Sequence, residues 1–292
     1  MMSRKFGKKK GISLLIPTQN SENTIELCLR TFRGFADEII VVDNGSTDRT
    51  KEIVREIELE LDELCFFDAP HLKDLYENRQ FALEKSNYNW VVRIDSDYIA
   101  YTSGASSILE LRQLILSQSE GVCPLRMGIS QVNLYGDLLH CGKSLDQRTG
   151  NANPFIFPPV QTLPARIIEW YPMMRFQRNR GVEGVRWQKW LRSFQLAIPY
   201  WFHCTLVNDK QLFIRSQRTP WRAHGDFSRY PALDHWIDDH LIRVGKTLEQ
   251  AAAEYCQRYV TPHLEDYDEA AYYPYPDALR DELSGRSWRS IS

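Results

Sequence analysis

The chain has 292 residues, of which 43% are hydrophobic and 25% are charged, and its formal net charge is -2. This composition is that of a globular protein with one large domain, or one domain with a substantial extension. The near-neutral charge disfavours nucleic acid as a partner, because nucleic-acid-binding domains are usually basic. Six cysteines occur without a CxxC pair or a zinc-ligand spacing. They predict mostly reduced core residues in a cytoplasmic protein rather than a disulfide framework.

A basic N-terminal tail, residues 1–10, precedes a short apolar run at Ile12–Ile16. Secretory h-regions and membrane-spanning helices are longer than this run, so we expect neither a signal peptide nor a transmembrane helix. The tail is either solvated or attracted to an anionic membrane surface. The second alternative would add peripheral contact at the inner face of the membrane to a cytoplasmic location.

Strand and helix patterns alternate through the first 120 residues. Four apolar, often β-branched runs predict strands at Ile12–Ile16, Glu38–Asp43, Leu64–Phe67 and Trp90–Ile94. Apolar residues at helical spacing predict helices near 25–32, 53–64, 72–83 and 108–115. Asn23 and Glu26 form a possible capping box for the first helix. Continuous apolar strands joined by helices are typical of a parallel sheet with helices on both faces, which is an α/β fold.

The pattern changes at about residue 121, where short segments punctuated by Gly and Pro replace the helical spacing. Helical spacing returns after about residue 220. The sequence therefore divides into a first half at 11–120, an irregular second half of the same domain at 121–220, and a helical C-terminal extension and tail at 221–292.

One aromatic stripe in the second half predicts a helix. Trp187, Trp190, Leu191 and Phe194 fall at positions i, i+3, i+4 and i+7, with basic residues on the other face. Such a helix either packs against a core with its basic face solvated, or lies at a membrane interface.

Three predicted strands end in residues suited to a ligand site. Pro17, Asp43 and Asp95 each follow a strand, and right-handed crossovers place all strand carboxyl ends at one edge of the sheet. Asp95 and Asp97 are two positions apart, so both side chains point to the same side of an extended chain. Two carboxylates there suit a hard cation such as Mg²⁺ or Mn²⁺. The simpler alternative is a polar turn.

Three motifs, taken in order, resemble one enzyme family. Ser13–Asn20, Glu38–Asp48 and Arg93–Asp97 are similar to segments of glycosyltransferase family 2, the inverting enzymes of GT-A fold. The resemblance implies a Rossmann-like, mostly parallel sheet that binds a nucleotide-sugar donor with a divalent cation, Mn²⁺ or Mg²⁺. It makes 11–120 the nucleotide-sugar-binding half and 121–220 the acceptor half.

The same resemblance implies roles for individual residues in binding the nucleotide sugar. Pro17, Gln19 and Asn20 would line the nucleobase pocket. Asp43 matches a carboxylate that binds the base or ribose.

Further positions follow from the metal motif and the helix before it. Asn78 or Arg79 matches a position near the ribose or phosphate. Asp95 would contact both donor and metal, with Asp97 the more direct metal ligand. A late histidine often supplies a third ligand in GT-A enzymes, and we expect His203 in this role, with His224 as its competitor.

The general base is expected to be an acid that takes the proton of the acceptor hydroxyl. Glu183 is the first candidate, and Glu169 and Asp209 remain alternatives. The family places this acid in a signature that here reads Gly184–Trp190, without an acid after Trp187.

These residues together predict a glycosyltransferase. It would move a sugar from a nucleotide-diphosphate donor, with UDP favoured, to a hydroxyl of a glycan or lipid-linked acceptor in surface polysaccharide assembly. One alternative is a protein that binds nucleotide sugars without transferring them. Another is a sugar nucleotidyltransferase, which is disfavoured because no glycine-rich basic phosphate loop lies near the first strand.

Overall fold

The computed structural model describes residues 7–118, 123–143, 156–179, 182–185, 191–206, 208–226 and 228–285. The strands are β1 (Lys9–Thr18), β2 (Glu38–Asp43), β3 (Leu64–Asp68), β4 (Tyr88–Arg93), β5 (Tyr98–Ala100), β6 (Leu125–Tyr135), β7 (His140–Gly142), β8 (Val160–Glu169), β9 (Phe176–Asn179), β10 (Val182–Val185), β11 (Arg192–Thr205) and β12 (Leu264–Asp266). The helices are α1 (Ile25–Thr31), α2 (Thr50–Glu58), α3 (Leu75–Lys85), α4 (Ile108–Ser117), α5 (Asp209–His224), α6 (Leu233–Val244), α7 (Leu248–Tyr259) and α8 (Asp277–Leu283).

Eight strands form one sheet in the order β3-β2-β1-β4-β8-β6-β11-β5. The first four are mutually parallel, whereas β4 with β8, β6 with β8, and β11 with β5 pair antiparallel. This sheet confirms the predicted α/β fold, but only its first half is parallel. Antiparallel neighbours need no crossover helix. Accordingly, no helix occurs between β6 and β11 in the ranges that the structure describes.

The parallel strands lie at the centre of the core. All six residues of β2 are buried, as are the last eight of β1. Leu15, Val42 and Val91 come from three neighbouring strands and share one apolar cluster with Ile168 and Tyr171. Because β1, β2 and β4 are covered on both faces, they appear in the sequence as continuous apolar runs. Strand β2 has its predicted bounds, whereas β1 is longer than predicted at both ends.

Two local predictions are wrong. Helix α1 is capped at Thr24, whose side chain makes no capping hydrogen bond, so the expected capping box of Asn23 and Glu26 is absent at this described helix end. Arg192 and Phe194 begin the strand β11 instead of ending a helix. Burial there alternates every second residue, which is the period of a strand. Trp187 and Trp190 lie outside the described residues, so the proposed membrane contact stays a prediction.

The chain divides into two compact units. The first comprises Met1–Val132, Val160–Cys204 and Glu269–Ser292, and the second comprises Asn133–Pro159 and Thr205–Asp268. The last segment of the first unit packs as an arm. Tyr275 stacks on Phe202 with ring centroids 5.7 Å apart, and the Tyr101 hydroxyl donates to the Pro274 carbonyl at 2.5 Å.

The second unit contains α5, α6, α7 and the β7–β12 pair. Asn208 and Thr247 begin α5 and α7 with complete capping boxes. Helix α5 was not predicted, because helical spacing was expected only after residue 220. A cavity of about 880 Å³ lies in this unit, and Asp209 and Glu249 are among its lining residues. Within the described ranges, every helix is too short or too polar to cross a membrane.

Candidate metal centre

Asp95, Asp97 and His203 converge at one point in the first unit. Each offers one ligand atom, and these atoms lie within 4.8 Å of one another. The two aspartates occupy the short connection between β4 and β5. Strand β11 pairs with β5 so that His203 lies opposite Tyr98, next to Asp97. Strand pairing therefore brings His203 to two aspartates that lie more than a hundred residues earlier in the sequence.

Asp97 has the features expected of a cation ligand. Its Oδ2 lies 3.5 Å from His203 Nε2, and its backbone carbonyl accepts a hydrogen bond from Cys204 at 2.8 Å. Its Oδ1 is buried and finds no hydrogen-bond partner within the described residues. A buried carboxylate oxygen without a partner is costly. Because carboxylate oxygen and imidazole nitrogen are suitable ligands for Mn²⁺, these three side chains fit a divalent cation.

His203 is held by its surroundings on both sides of the ring. Its Nδ1 lies 3.5 Å from Gln131 Nε2, and Trp201 Nε1 donates to Gln131 Oε1 at 3.4 Å. Burial alone would lower the pKa of His203, but the nearby carboxylates of Asp97 and Asp95 together raise it above its ordinary value. The imidazole therefore keeps its proton up to a higher pH than an ordinary histidine does.

This pKa predicts how cation binding depends on pH. Only neutral imidazole ligates a metal, so a raised pKa extends proton competition above the ordinary value of about 6.5. We expect Mn²⁺ affinity to rise from about pH 6 to about pH 8, with up to about a tenfold gain per pH unit below the pKa. Electron paramagnetic resonance of free Mn²⁺ measures it. The variant His203→Ala should bind Mn²⁺ more weakly and with a flatter pH profile; an equally steep profile would contradict ligation by His203.

Asp95 is contacted by two arginines. Arg79 is fully buried, contacts Asp95 Oδ1 through Nη2 and donates from Nη1 to the Ile94 carbonyl at 3.1 Å. Arg166 Nη2 lies 3.7 Å from Asp95 Oδ2. Burial would raise the pKa of Asp95, but the positive charges of Arg79 and Arg166 lower it to about 2. Asp95 is therefore a carboxylate at neutral pH. The predicted contact of Arg79 with a nucleotide sugar stays a prediction.

Arg166 and Gln131 are site residues that sequence reasoning missed. Arg166 Nη2 donates to the Tyr98 hydroxyl at 2.6 Å, and its guanidinium carbon lies 5.4 Å from the centre of the Tyr98 ring. Gln131 lies in β6 and Arg166 lies in β8, two long strands that reach the site through antiparallel pairing. One feature of the sequence could have indicated Arg166 as a site residue: it is a charged residue inside an apolar run, between Ala165 and Ile167.

The loops after β1 and β2 are joined to each other. Asn20 donates its backbone N–H to Ser46 Oγ at 2.8 Å, and its side-chain oxygen accepts from the Thr47 N–H at 2.8 Å. Asn20 has a φ of 53°, a left-handed conformation that asparagine tolerates. Gln19 and Asn20 are exposed, whereas Pro17 is buried. These predicted nucleobase contacts therefore belong to one exposed, hydrogen-bonded pair of loops, and their role stays a prediction.

Asp43 is fully buried beneath these loops. Its Oδ1 accepts from the N–H groups of Gly45 and Ser46 at 2.9 and 2.8 Å, and its Oδ2 accepts from the Ser46 hydroxyl. Lys51 Nζ lies 3.9 Å from Oδ1. Asp43 thus shapes the second loop in this structure, and its contact with a base or ribose stays a prediction.

The candidate bases lie in different places. Glu183 is in β10, opposite Arg178, and its role stays a prediction. Glu169 accepts a hydrogen bond from the Leu125 N–H at 3.0 Å and is nearly fully buried. It lies opposite Trp90, five residues before Asp95, which corresponds to roughly 17 Å along an extended strand. That distance disfavours Glu169. Asp209, and His224 as an alternative ligand, belong to α5 in the second unit.

Residues 13–152 match the family model described as glycosyl transferase family 2. This segment belongs to glycosyl transferase family 2. It contains most of β1, all of β2 and β4, the loops that follow them, and both aspartates of the metal centre. The resemblance predicted from the three motifs is therefore confirmed.

Two curated relatives are similar to part of this chain. Glycosyltransferase AglE of Haloferax volcanii is 32% identical over 91 residues, which cover 30% of this chain and 30% of AglE. Chondroitin synthase of Escherichia coli is 31% identical over 105 residues, which cover 35% of this chain and 15% of that enzyme. The match thus spans less than a third of the length of either relative.

Two solved structures are similar to this chain. S. aureus TarS 1–349 in complex with UDP has a TM-score of 0.44 at 18% identity, covering 70% of this chain and 62% of that one. The mannosyltransferase PcManGT from Pyrobaculum calidifontis, in complex with GDP-Man and Mn²⁺, also has a TM-score of 0.44, at 13% identity. It covers 96% of this chain and 81% of that one.

Proposed function

We propose that this chain is a metal-assisted glycosyltransferase that uses a nucleotide-diphosphate sugar. The observation that carries the proposal is the convergence of Asp95, Asp97 and His203 at the carboxyl end of β4, with both aspartates inside the segment that matches family 2. Ligands of open α/β sheets bind at this edge. The acceptor would be a hydroxyl of a glycan, free or lipid-linked, in polysaccharide assembly.

Unpartnered polar atoms at the same edge support a polar ligand. Thr18 Oγ1, at the end of β1, and Asn78 Oδ1, in α3, are both buried and lack a hydrogen-bond partner among the described residues. Asn78 is fixed by its Nδ2, which donates to the Val42 carbonyl at 2.8 Å. Together with Asp97 Oδ1, they lie in the elements that the resemblance assigns to donor and metal. A nucleotide diphosphate with its cation would satisfy such groups.

The chemistry of the transfer assigns a task to each group. The acceptor oxygen forms a bond to C1 of the sugar, and the bond from C1 to the diphosphate oxygen breaks with both electrons on that oxygen. A divalent cation supplies Lewis-acid stabilisation of this charge when it is bound. Asp95, Asp97 and His203 would hold it, and Arg79 keeps Asp95 ionised and in place. A carboxylate, with Glu183 as the first candidate, would take the acceptor proton. Attack from the face opposite the leaving group inverts the anomeric configuration.

A binding experiment tests the donor class. We expect UDP to raise the melting temperature of the protein by several degrees with Mn²⁺ present and by much less with EDTA, because a cation held by Asp95, Asp97 and His203 would offset the repulsion between the carboxylates and the diphosphate. GDP, ADP and Ca²⁺ are the comparisons for base and metal. Absence of stabilisation by every nucleoside diphosphate with Mn²⁺ would contradict the proposed function.

A product assay then separates transfer from the alternatives. A glycosyltransferase releases UDP from a UDP-sugar and leaves the sugar on an acceptor. A nucleotidyltransferase releases pyrophosphate from UTP and a sugar phosphate. Binding without release of either product would show a nucleotide-sugar-binding protein.

A further inference from the structure

The two arginines beside Asp95 are held in different ways. Arg79 is fully buried and is fixed by the Ile94 carbonyl as well as by Asp95. Arg166 is partly exposed, with 12% of its side chain accessible, and its Nη2 lies 3.7 Å from Asp95 Oδ2. That distance is an ion pair but exceeds hydrogen-bond length. Arg79 is therefore built into the structure, whereas Arg166 makes a longer contact with the same carboxylate from a side chain that is partly accessible.

Tyr98 determines where the Arg166 guanidinium lies. The Tyr98 hydroxyl accepts from Arg166 Nη2 at 2.6 Å. The Tyr98 ring is fully buried, with its centre 5.8 Å from that of Trp201 and 5.0 Å from that of His203. A phenol packed between two residues of β11 is a rigid acceptor. It holds one nitrogen of Arg166 near the metal ligands.

The charges of the site favour an anionic ligand once a cation has bound. Asp95 and Asp97 carry two negative charges, and Arg79 and Arg166 carry two positive charges beside them. A divalent cation would leave a clear positive excess. A nucleoside diphosphate carries two to three negative charges at neutral pH, and the planar guanidinium fork can donate to two phosphate oxygens at once.

We propose that Arg166 is a diphosphate-binding residue of this site and that Tyr98 is its positioning residue. The inference rests on the proposed function and adds two residues that the three sequence motifs do not contain. In this role Arg166 would exchange its long ion pair with Asp95 for hydrogen bonds to the diphosphate, and Asp95 would then ligate the cation.

Binding measurements with Arg166→Gln test the inference, because the inference predicts opposite changes in the affinity for Mn²⁺ and in the affinity for UDP. Calorimetric titration gives the affinity for Mn²⁺ alone and for UDP at saturating Mn²⁺. We expect Mn²⁺ to bind severalfold more tightly, since a positive charge 3.7 Å from a ligand oxygen has been removed. We expect UDP to bind at least tenfold more weakly. Arg166→Lys should lie between this variant and wild type for UDP, because it keeps the charge and loses the fork.

Two further variants complete the test. Tyr98→Phe should weaken UDP binding severalfold and leave Mn²⁺ binding unchanged. Arg175→Gln, at an exposed arginine of the same unit, should change neither. Equal losses of Mn²⁺ and UDP affinity in Arg166→Gln, or wild-type UDP affinity, would overturn the inference alone. If wild type binds neither UDP nor GDP with Mn²⁺, the proposed function fails, and the role of Arg166 fails with it. Melting curves of all variants show whether each is folded. If Arg166→Gln does not fold, Arg166→Lys is used for the same binding measurements.

Discussion

Replacing Asp97 with asparagine is expected to abolish metal-dependent transfer. The change keeps the shape of the side chain and removes the charge that the cation needs, so Mn²⁺ affinity should fall by at least about a hundredfold. We expect kcat/KM for transfer from a UDP-sugar to fall on the order of a thousandfold, or about 4 kcal/mol, since loss of a catalytic cation costs several kcal/mol.

The fold should survive this change. Asp97 contributes its backbone carbonyl to the β5–β11 region, and that bond is unaffected by a change of side chain. The matched control is Asp62→Asn, at an exposed aspartate of the first unit, which should retain wild-type affinity and rate. Mn²⁺ binding is measured by electron paramagnetic resonance and transfer by UDP release. Wild-type Mn²⁺ affinity in Asp97→Asn would show that the three residues are not the metal centre.

Replacing Arg79 with methionine is expected to have the largest effect on stability. Arg79 is fully buried, and its removal leaves the Asp95 carboxylate without its nearest positive charge. Breaking a buried ion pair costs about 3–5 kcal/mol, and because Asp95 is one-third exposed we expect about 2–3 kcal/mol from the free energy of unfolding. Urea titration followed by circular dichroism measures this loss.

A double-mutant cycle identifies the cause of the loss. Asp95→Asn removes the charge that Arg79 neutralises, so Arg79→Met should cost much less in that background. The hydrogen bond from Arg79 to the Ile94 carbonyl is lost in both backgrounds and cancels in the comparison. If Arg79→Met costs the same with and without the Asp95 charge, packing rather than the ion pair explains the destabilisation.

The parallel half of the fold could be predicted because its signals are local. Strand β2 was predicted with its observed bounds, since a continuous β-branched run is flanked by polar turns. Asp95 and Asp97 were predicted to act together from a spacing of two residues, and the structure brings their ligand atoms together with that of His203. Such patterns depend on neighbours in sequence, which a single chain displays directly.

The second half was harder because long-range pairing determines it. The helical spacing from Trp187 to Phe194 competed with the two-residue alternation that begins at Arg192, and the sheet partners decide which period applies. Arg166 enters the site only through the pairing of β8 with β4. Sequence spacing contains no information about that contact. The residues that adjust the site were therefore missed, while those that define its motif were found.

The pairing of β5 with β11 also orders the events of folding. Asp95 and Asp97 leave the ribosome about a hundred residues before His203, and the strand that carries His203 must close a long loop to reach them. Arg79, by contrast, is already synthesised when Asp95 appears. In the nascent chain, Arg79 can therefore neutralise Asp95 as soon as Asp95 has emerged. The set of three cation ligands, in contrast, is complete only when β11 pairs with β5. Metal capture would then report on a late step in the assembly of the first unit, the pairing of β11 with β5, rather than on its beginning.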